Sequence, residues 1–146
     1  MVDIAIVGGG IAGLALALGL HARGIAATVF EAAPEVREIG VGITILPHAM
    51  RELTALGVGD DILRSGVQNR QSAFFNRFGQ KLFSEARGLD AGYPFAELGI
   101  HRGRLHGILF KAVLDRLGPA SVVADHRCIG FEQGDAGAGL PFQSTA

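Results

Sequence analysis

Residues 2–7 (VDIAIV) form a short apolar run that breaks on a glycine triplet, the pattern of a strand buried on both faces. Residues 11–23 (IAGLALALGLHAR) follow with Leu and Ala at helical spacing and stop before Gly24, a residue suited to closing a helix. Residues 26–31 (AATVFE) predict a second strand. Strand, glycine turn, helix and strand in this order make a βαβ crossover, which is right-handed almost without exception. Residues 32–42, with Pro34 and two glycines, predict a loop. Pro47 opens a helix over 47–56 that puts Met50, Leu53 and Leu56 on one face and ends at Gly57. Residues 71–77 and 80–85 predict a hairpin around Phe78-Gly79, and 86–96 a loop. Residues 97–101 lead into a helix over about 103–117, closed by Gly118-Pro119. Residues 121–124 and 126–132 predict strands, and the stretch from Gly134 onward a ragged strand or a frayed end. No internal repeat and no long linker interrupts the chain.

The fold class is therefore α/β, with a Rossmann-like βαβ unit and an inserted β-hairpin. The 146 residues correspond to one domain, 1–146. A composition of 49% hydrophobic and 18% charged residues excludes intrinsic disorder. The net charge of −1, from 13 basic and 14 acidic residues, gives no general affinity for nucleic acid or an anionic membrane. The single cysteine, Cys128, excludes an internal disulfide framework and a cysteine-based zinc site. The apolar segment 11–20 imitates the core of a signal peptide, but Asp3 and no basic residue precede it and it is too short to span a bilayer. A soluble, cytoplasmic protein is expected. The 22 glycines, with no collagen-like period, point to tight turns or to close approach of backbone to a ligand.

The chemistry lies in Gly8-Gly9-Gly10-Ile11-Ala12-Gly13, which fits G-x-G-x-x-G. In a glycine-rich chain the spacing alone is weak; following a strand and opening a helix, it becomes specific. Gly8 allows the tight turn, Gly10 lets the backbone touch a pyrophosphate, and Gly13 lets the helix lie close on the strand. The free N–H groups and positive end of that helix then face the phosphates. Glu31 closes the second strand about twenty residues further on, where a carboxylate accepts hydrogen bonds from an adenosine ribose and repels a 2′-phosphate. FAD and NAD share this fingerprint. A nicotinamide dehydrogenase would usually continue into a further helix and parallel strand; here a loop with Pro34, Arg37 and Gly40-Val41-Gly42 follows.

The segments GGGIAGLALALGL, VFEAAPEVREIGVGITILPHAMRELTALGVGD and GYPFAELGIHRGRLHGIL together resemble the N-terminal part of the group A flavin-dependent aromatic monooxygenases, most closely those of the salicylate-hydroxylase and pyocyanin-biosynthesis type. The resemblance implies an FAD-dependent hydroxylation of a small aromatic substrate with NAD(P)H and O2. It implies that Glu31 binds the adenosine ribose and that Arg37 lies near the FAD. It puts Gly42 in a loop beside the isoalloxazine and brings Arg102, in IHRGRL, to the phosphates and ribityl chain. Cys128 falls in the strand whose backbone contacts adenine. It further implies a truncated chain, with the substrate-binding portion and the later motifs absent. No catalytic side chain is expected within these residues, because the cofactor carries the chemistry. The alternative is a dinucleotide-binding module or remnant without catalysis of its own. His48, His101 and His106 have no metal-site spacing and are read as satisfied or surface histidines. Gly134-Asp135-Ala136 is read as a polar turn. Phe74, Phe75 and Phe83 on the hairpin call for a covering partner, which a homodimer would supply.

Overall fold

The computed structural model describes residues 4–35, 40–135 and 137–144. In chain order the elements are β1 (Ile4–Val7), α1 (Ile11–His21), β2 (Ala27–Phe30), β3 (Gly42–Ile45), α2 (Pro47–Ala55), α3 (Gly59–Ser65), β4 (Val67–Asn69), β5 (Gln71–Phe75), β6 (Lys81–Ala86), β7 (Glu97–His101), α4 (Arg102–Leu117), β8 (Val122–Val123), β9 (Arg127–Cys128), β10 (Glu132–Gly134), β11 (Gly137–Gly139) and β12 (Phe142–Gln143). The described residues group into two compact units, one within Met1–Glu38 and His106–Ala146, the other within Ile39–Leu105.

The first unit is built on a parallel sheet of order β1-β2-β8. Ile4 to Val7 run beside Ala27 to Phe30, and Val29 and Phe30 continue the pairing to Val122 and Val123. The βαβ crossover expected from the sequence is thus present, with α1 joining its two parallel strands. Leu14, Ala17 and Leu18 of α1 are buried together with Ile6 and Val29 of the sheet. Full burial of a leucine side chain contributes roughly 1.5–3 kcal/mol, so Leu14 and Leu18 each add on that scale to this unit. The helix ends as its sequence dictates: Gly24 adopts φ +71°, and the N–H of Ile25 donates to the carbonyl of Leu20. Buried Leu109, Ala112 and Val113 form the apolar stripe of α4.

The strand expected over 126–132 is interrupted. Residues Arg127–Cys128 pair with Phe142–Gln143, and a separate hairpin pairs Glu132–Gly134 with Gly137–Gly139. Where the sequence allows a ragged strand or a frayed end from Gly134 onward, the described residues hold two short strands, Gly137–Gly139 and Phe142–Gln143, and Asp135 lies in the turn that leads out of β10. Asp125, at φ +55°, precedes the break, and its N–H donates to the carbonyl of Ala33.

The second unit holds an antiparallel sheet of order β3-β7-β4. Its central strand, β7, is the segment that the sequence pattern marked only as the approach to a helix. The strand passes into α4 without a loop. His101 pairs with Gly42, and the N–H of Arg102, already the first helical residue, donates to the carbonyl of Val41. Gly99 and Gly103 flank that junction without breaking it, so the turn signals they carry do not mark where strand gives way to helix. Ile45, Leu98 and Ile100 of the sheet are buried with Met50 and Leu53 of α2, Val58 just before α3, and Ile62 of α3. Gly59 keeps the α2–α3 corner tight: a Cβ there would meet the Thr54 hydroxyl at 2.5 Å. The hairpin forms as expected from β5 and β6, with Gly79 at φ +78° and the Asn76 side-chain carbonyl accepting the N–H groups of Phe78 and Gln80. Phe74 and Phe83 face each other across it with parallel rings 4.8 Å apart.

Candidate functional site

The first unit gathers Gly8, Gly10, Gly13 and Glu31 at the carboxyl ends of β1 and β2. Gly8 follows β1 at φ +105°, a conformation that L side chains rarely adopt, and its N–H donates to the carbonyl of Phe30. Gly10 is the N-cap of α1, in extended backbone with φ −73° and ψ −179°, and no side chain caps it. The first N–H groups of the helix therefore have no side-chain cap, the arrangement that attracts an anion.

Gly13 and Gly10 meet opposite surroundings. A Cβ on Gly13 would stand 2.0 Å from the Gly8 carbonyl oxygen and 3.3 Å from Ile6 Cγ2, so this position must be bare for α1 to lie against β1. A Cβ on Gly10 would meet nothing within 4 Å. The protein's own packing does not require glycine at position 10. A ligand approaching the backbone would, and the open cradle fits the diphosphate of a dinucleotide.

Glu31 follows β2 and is fixed by its own backbone, the N–H donating to Val123 O and the carbonyl accepting the N–H of His126. Its carboxylate turns toward the glycine loop. Oε2 accepts the N–H of Gly9 at 2.6 Å and Oε1 that of Ala33 at 2.8 Å. A carboxylate offers about four acceptor positions, so capacity for ribose hydroxyls remains. Gly9, the variable position of the motif, is also tightly placed: a Cβ would lie 3.1 Å from both Cβ and Oε2 of Glu31, so the Glu31 side chain would have to shift to admit it. The loop is gripped from a third side, by His106 of α4, whose Nε2 is 2.6 Å from the Gly9 carbonyl oxygen. His106 was expected to be a satisfied or surface histidine, and it is satisfied. No spacing signal announces a partner 97 residues away.

Of the remaining candidates, Gly42 and Arg102 are brought together in the second unit, through the Gly42–His101 pair and the Arg102–Val41 hydrogen bond. The preceding Gly40 accepts His101 Nε2 at its carbonyl, 3.0 Å away, and a Cβ on it would press on Arg102 Cβ at 3.1 Å. Arg37 lies outside the described residues. Cys128 is half-buried in β9, its thiol donating to the Gly130 carbonyl at 3.1 Å, two residues beyond the His126 that bonds Glu31. Phe30, His126 and Phe142 form an aromatic cluster in the same unit, with Phe30 and Phe142 stacked at 4.5 Å. Among the described residues, no group of three His, Cys, Asp or Glu could hold a metal ion. No described helix is long and apolar enough to cross a membrane.

Comparison with known proteins identifies the family of the chain. A family model for an FAD binding domain matches residues 1–138. The phenazine 1,6-dicarboxylic acid hydroxylase PhzS of Lysobacter antibioticus is 40% identical over 157 aligned residues, covering 99% of this chain and 39% of that protein. The 3-hydroxybenzoate 6-hydroxylase 1 of Aquipseudomonas alcaligenes is 36% identical over 115 residues, covering 75% of this chain and 29% of that one. Among solved structures, HpxO of Klebsiella pneumoniae, complexed with FAD and uric acid, superposes with a TM-score of 0.80 at 25% identity, covering 97% of this chain and 35% of that chain. The chain thus spans between 29% and 39% of the length of these relatives.

Proposed function

The chain belongs to the FAD binding domain family, and on that premise we propose that it is the cofactor-holding part of an FAD-dependent aromatic monooxygenase. In this reading residues 1–146 act as one FAD-binding domain. The observation that carries it is the open cradle at Gly10, at the head of an uncapped helix, with Glu31 held beside it. The N–H groups at the start of α1 would take the pyrophosphate. Glu31 would accept the ribose hydroxyls, and the backbone at Cys128 would border adenine. Gly42 and Arg102 would serve the flavin half of the cofactor, Arg102 as a guanidinium whose fork pairs with two phosphate oxygens.

FAD, when bound, supplies the redox and oxygen chemistry. The protein's part is to bind, orient and shield it. The reductant in this reading is NAD(P)H and the substrate a small aromatic molecule, as the names of the phenazine and 3-hydroxybenzoate hydroxylases suggest. The setting is cytoplasmic, and the exposed hairpin suits a homodimer.

The test is titration of the purified chain with FAD and with ADP, followed by flavin fluorescence and calorimetry. Both should bind, and 2′-phospho-ADP should bind more weakly than ADP, because Glu31 repels the added phosphate. Absence of any binding by FAD and ADP would remove the reading.

A further inference from the structure

Gly9 is held at both of its peptide groups: its N–H donates to Glu31 Oε2, and its carbonyl oxygen lies 2.6 Å from His106 Nε2. A carbonyl oxygen only accepts, so Nε2 is the donor, in the neutral ring as in the charged one. The peptide that follows is planar and trans, with its C=O and N–H pointing in opposite directions. Fixing the Gly9 carbonyl toward His106 therefore directs the Gly10 N–H away from His106, at the N-cap of α1, where the space beside Gly10 is open.

We propose that His106 is a positioning residue of the nucleotide site: by holding the Gly9 carbonyl, it sets the Gly9–Gly10 peptide for an anion before the ligand arrives. The proposal rests on the dinucleotide-binding reading above. Three consecutive glycines have more backbone freedom to lose than any other triplet, so an unbraced loop would order only at the expense of binding affinity. His106 is suited to bracing it. It sits on α4 one turn before Leu109 and two before Val113, both fully buried, so its backbone is anchored in the core. The Phe110 ring lies roughly parallel to the imidazole, 6.4 Å from it centre to centre. His106 differs in kind from the motif residues, since it reaches the ligand only through Gly9.

The test compares His106→Leu, which fills similar space without a donor, with His106→Gln, which retains an N–H donor. Two quantities are read on the full chain: hydrogen exchange of the Gly9 amide without ligand, and affinity for ADP. His106→Leu should speed Gly9 exchange and weaken ADP about five- to tenfold, the scale of one lost hydrogen bond. His106→Gln should restore both toward the parent values. Wild-type exchange and affinity in His106→Leu, or equal loss in both variants, would overturn the proposal. If the parent chain binds no ADP although His106→Leu still speeds Gly9 exchange, the dinucleotide reading fails and the positioning role with it. ADP binding that ignores His106 overturns the positioning role alone.

Discussion

The carbonyl oxygen of Gly8 occupies the place where a side chain on Gly13 would begin: an added Cβ would lie 2.0 Å from it. The obstacle is backbone, which cannot swing aside as a side chain could. Gly13→Ala should therefore push α1 off β1 and destabilise the chain by about 1–3 kcal/mol, the usual cost of overpacking. Thermal unfolding monitored by circular dichroism measures it. An unchanged midpoint would mean that the turn at Gly8 is more pliable than this geometry allows.

Gly10→Val should behave in the opposite way. Its backbone is extended and its surroundings are open, so stability should stay within about 0.5 kcal/mol of the parent. The branched side chain would then stand where the pyrophosphate must approach. ADP and FAD affinity should fall by more than about tenfold while the unfolding midpoint holds. Retained affinity in this variant argues against the phosphate site.

On the proposed reading Glu31 has two tasks, bracing the loop and binding the ribose, and its variants should separate them. Glu31→Ala deprives the N–H groups of Gly9 and Ala33 of their acceptor and also removes the ribose acceptor. ADP affinity should drop at least about tenfold, since hydrogen bonds to a charged group are worth roughly 1.5–3 kcal/mol each. Glu31→Gln keeps one oxygen and should lose less. Glu31→Arg should shift the ratio of affinities toward 2′-phospho-ADP, while absolute affinity for both falls because Gly9 is released. Titration of the three variants with both nucleotides decides this; affinities like the parent's in all three would make Glu31 a surface residue.

The hairpin bears on assembly. Phe74, Phe75, Phe78, Leu82 and Phe83 are all exposed, Phe78 to 72%. Clustered exposure of large apolar groups drives association. Sedimentation equilibrium should show the chain self-associating at micromolar concentration, and Leu82→Thr with Phe83→Thr should shift it toward monomer. A parent chain that stays monomeric throughout that range would refute the expectation.

The 146-residue chain, supplied with FAD, NADH and O2, should not hydroxylate an aromatic ring. It spans 39% of its phenazine-hydroxylating relative, and a shielded reaction chamber needs walls on every side. Any NADH oxidation should yield hydrogen peroxide. Product analysis with salicylate or a phenazine separates the outcomes, and hydroxylated product in proportion to NADH consumed would contradict the expectation.

The βαβ unit was legible because strand, glycine motif and helix each write a local pattern, and the hairpin because Asn76 to Gly79 has turn chemistry. The central strand β7 was not legible. Three of its five residues, Glu97, Leu98 and Ile100, are buried, its pairing partners lie at 42–45 and 67–69, and its short length does not separate a strand from the approach to a helix. At the site, the motif glycines and Glu31 were visible, whereas the grip on Gly9 was not. The Glu31 and His106 bonds depend on the chain returning to the loop from positions 31 and 106, which no short window contains.

In the order β1-β2-β8, the strand that leads into the glycine loop has a hydrogen-bonded neighbour on one side only among the described strands. Its far border is a row of main-chain donors and acceptors able to recruit an extended peptide in parallel register, the geometry from which intermolecular β-structure grows. The same four residues that lead into the glycine loop thus mark where misassembly would begin, and a nucleotide that held the loop in its native form should also slow turbidity on gentle heating.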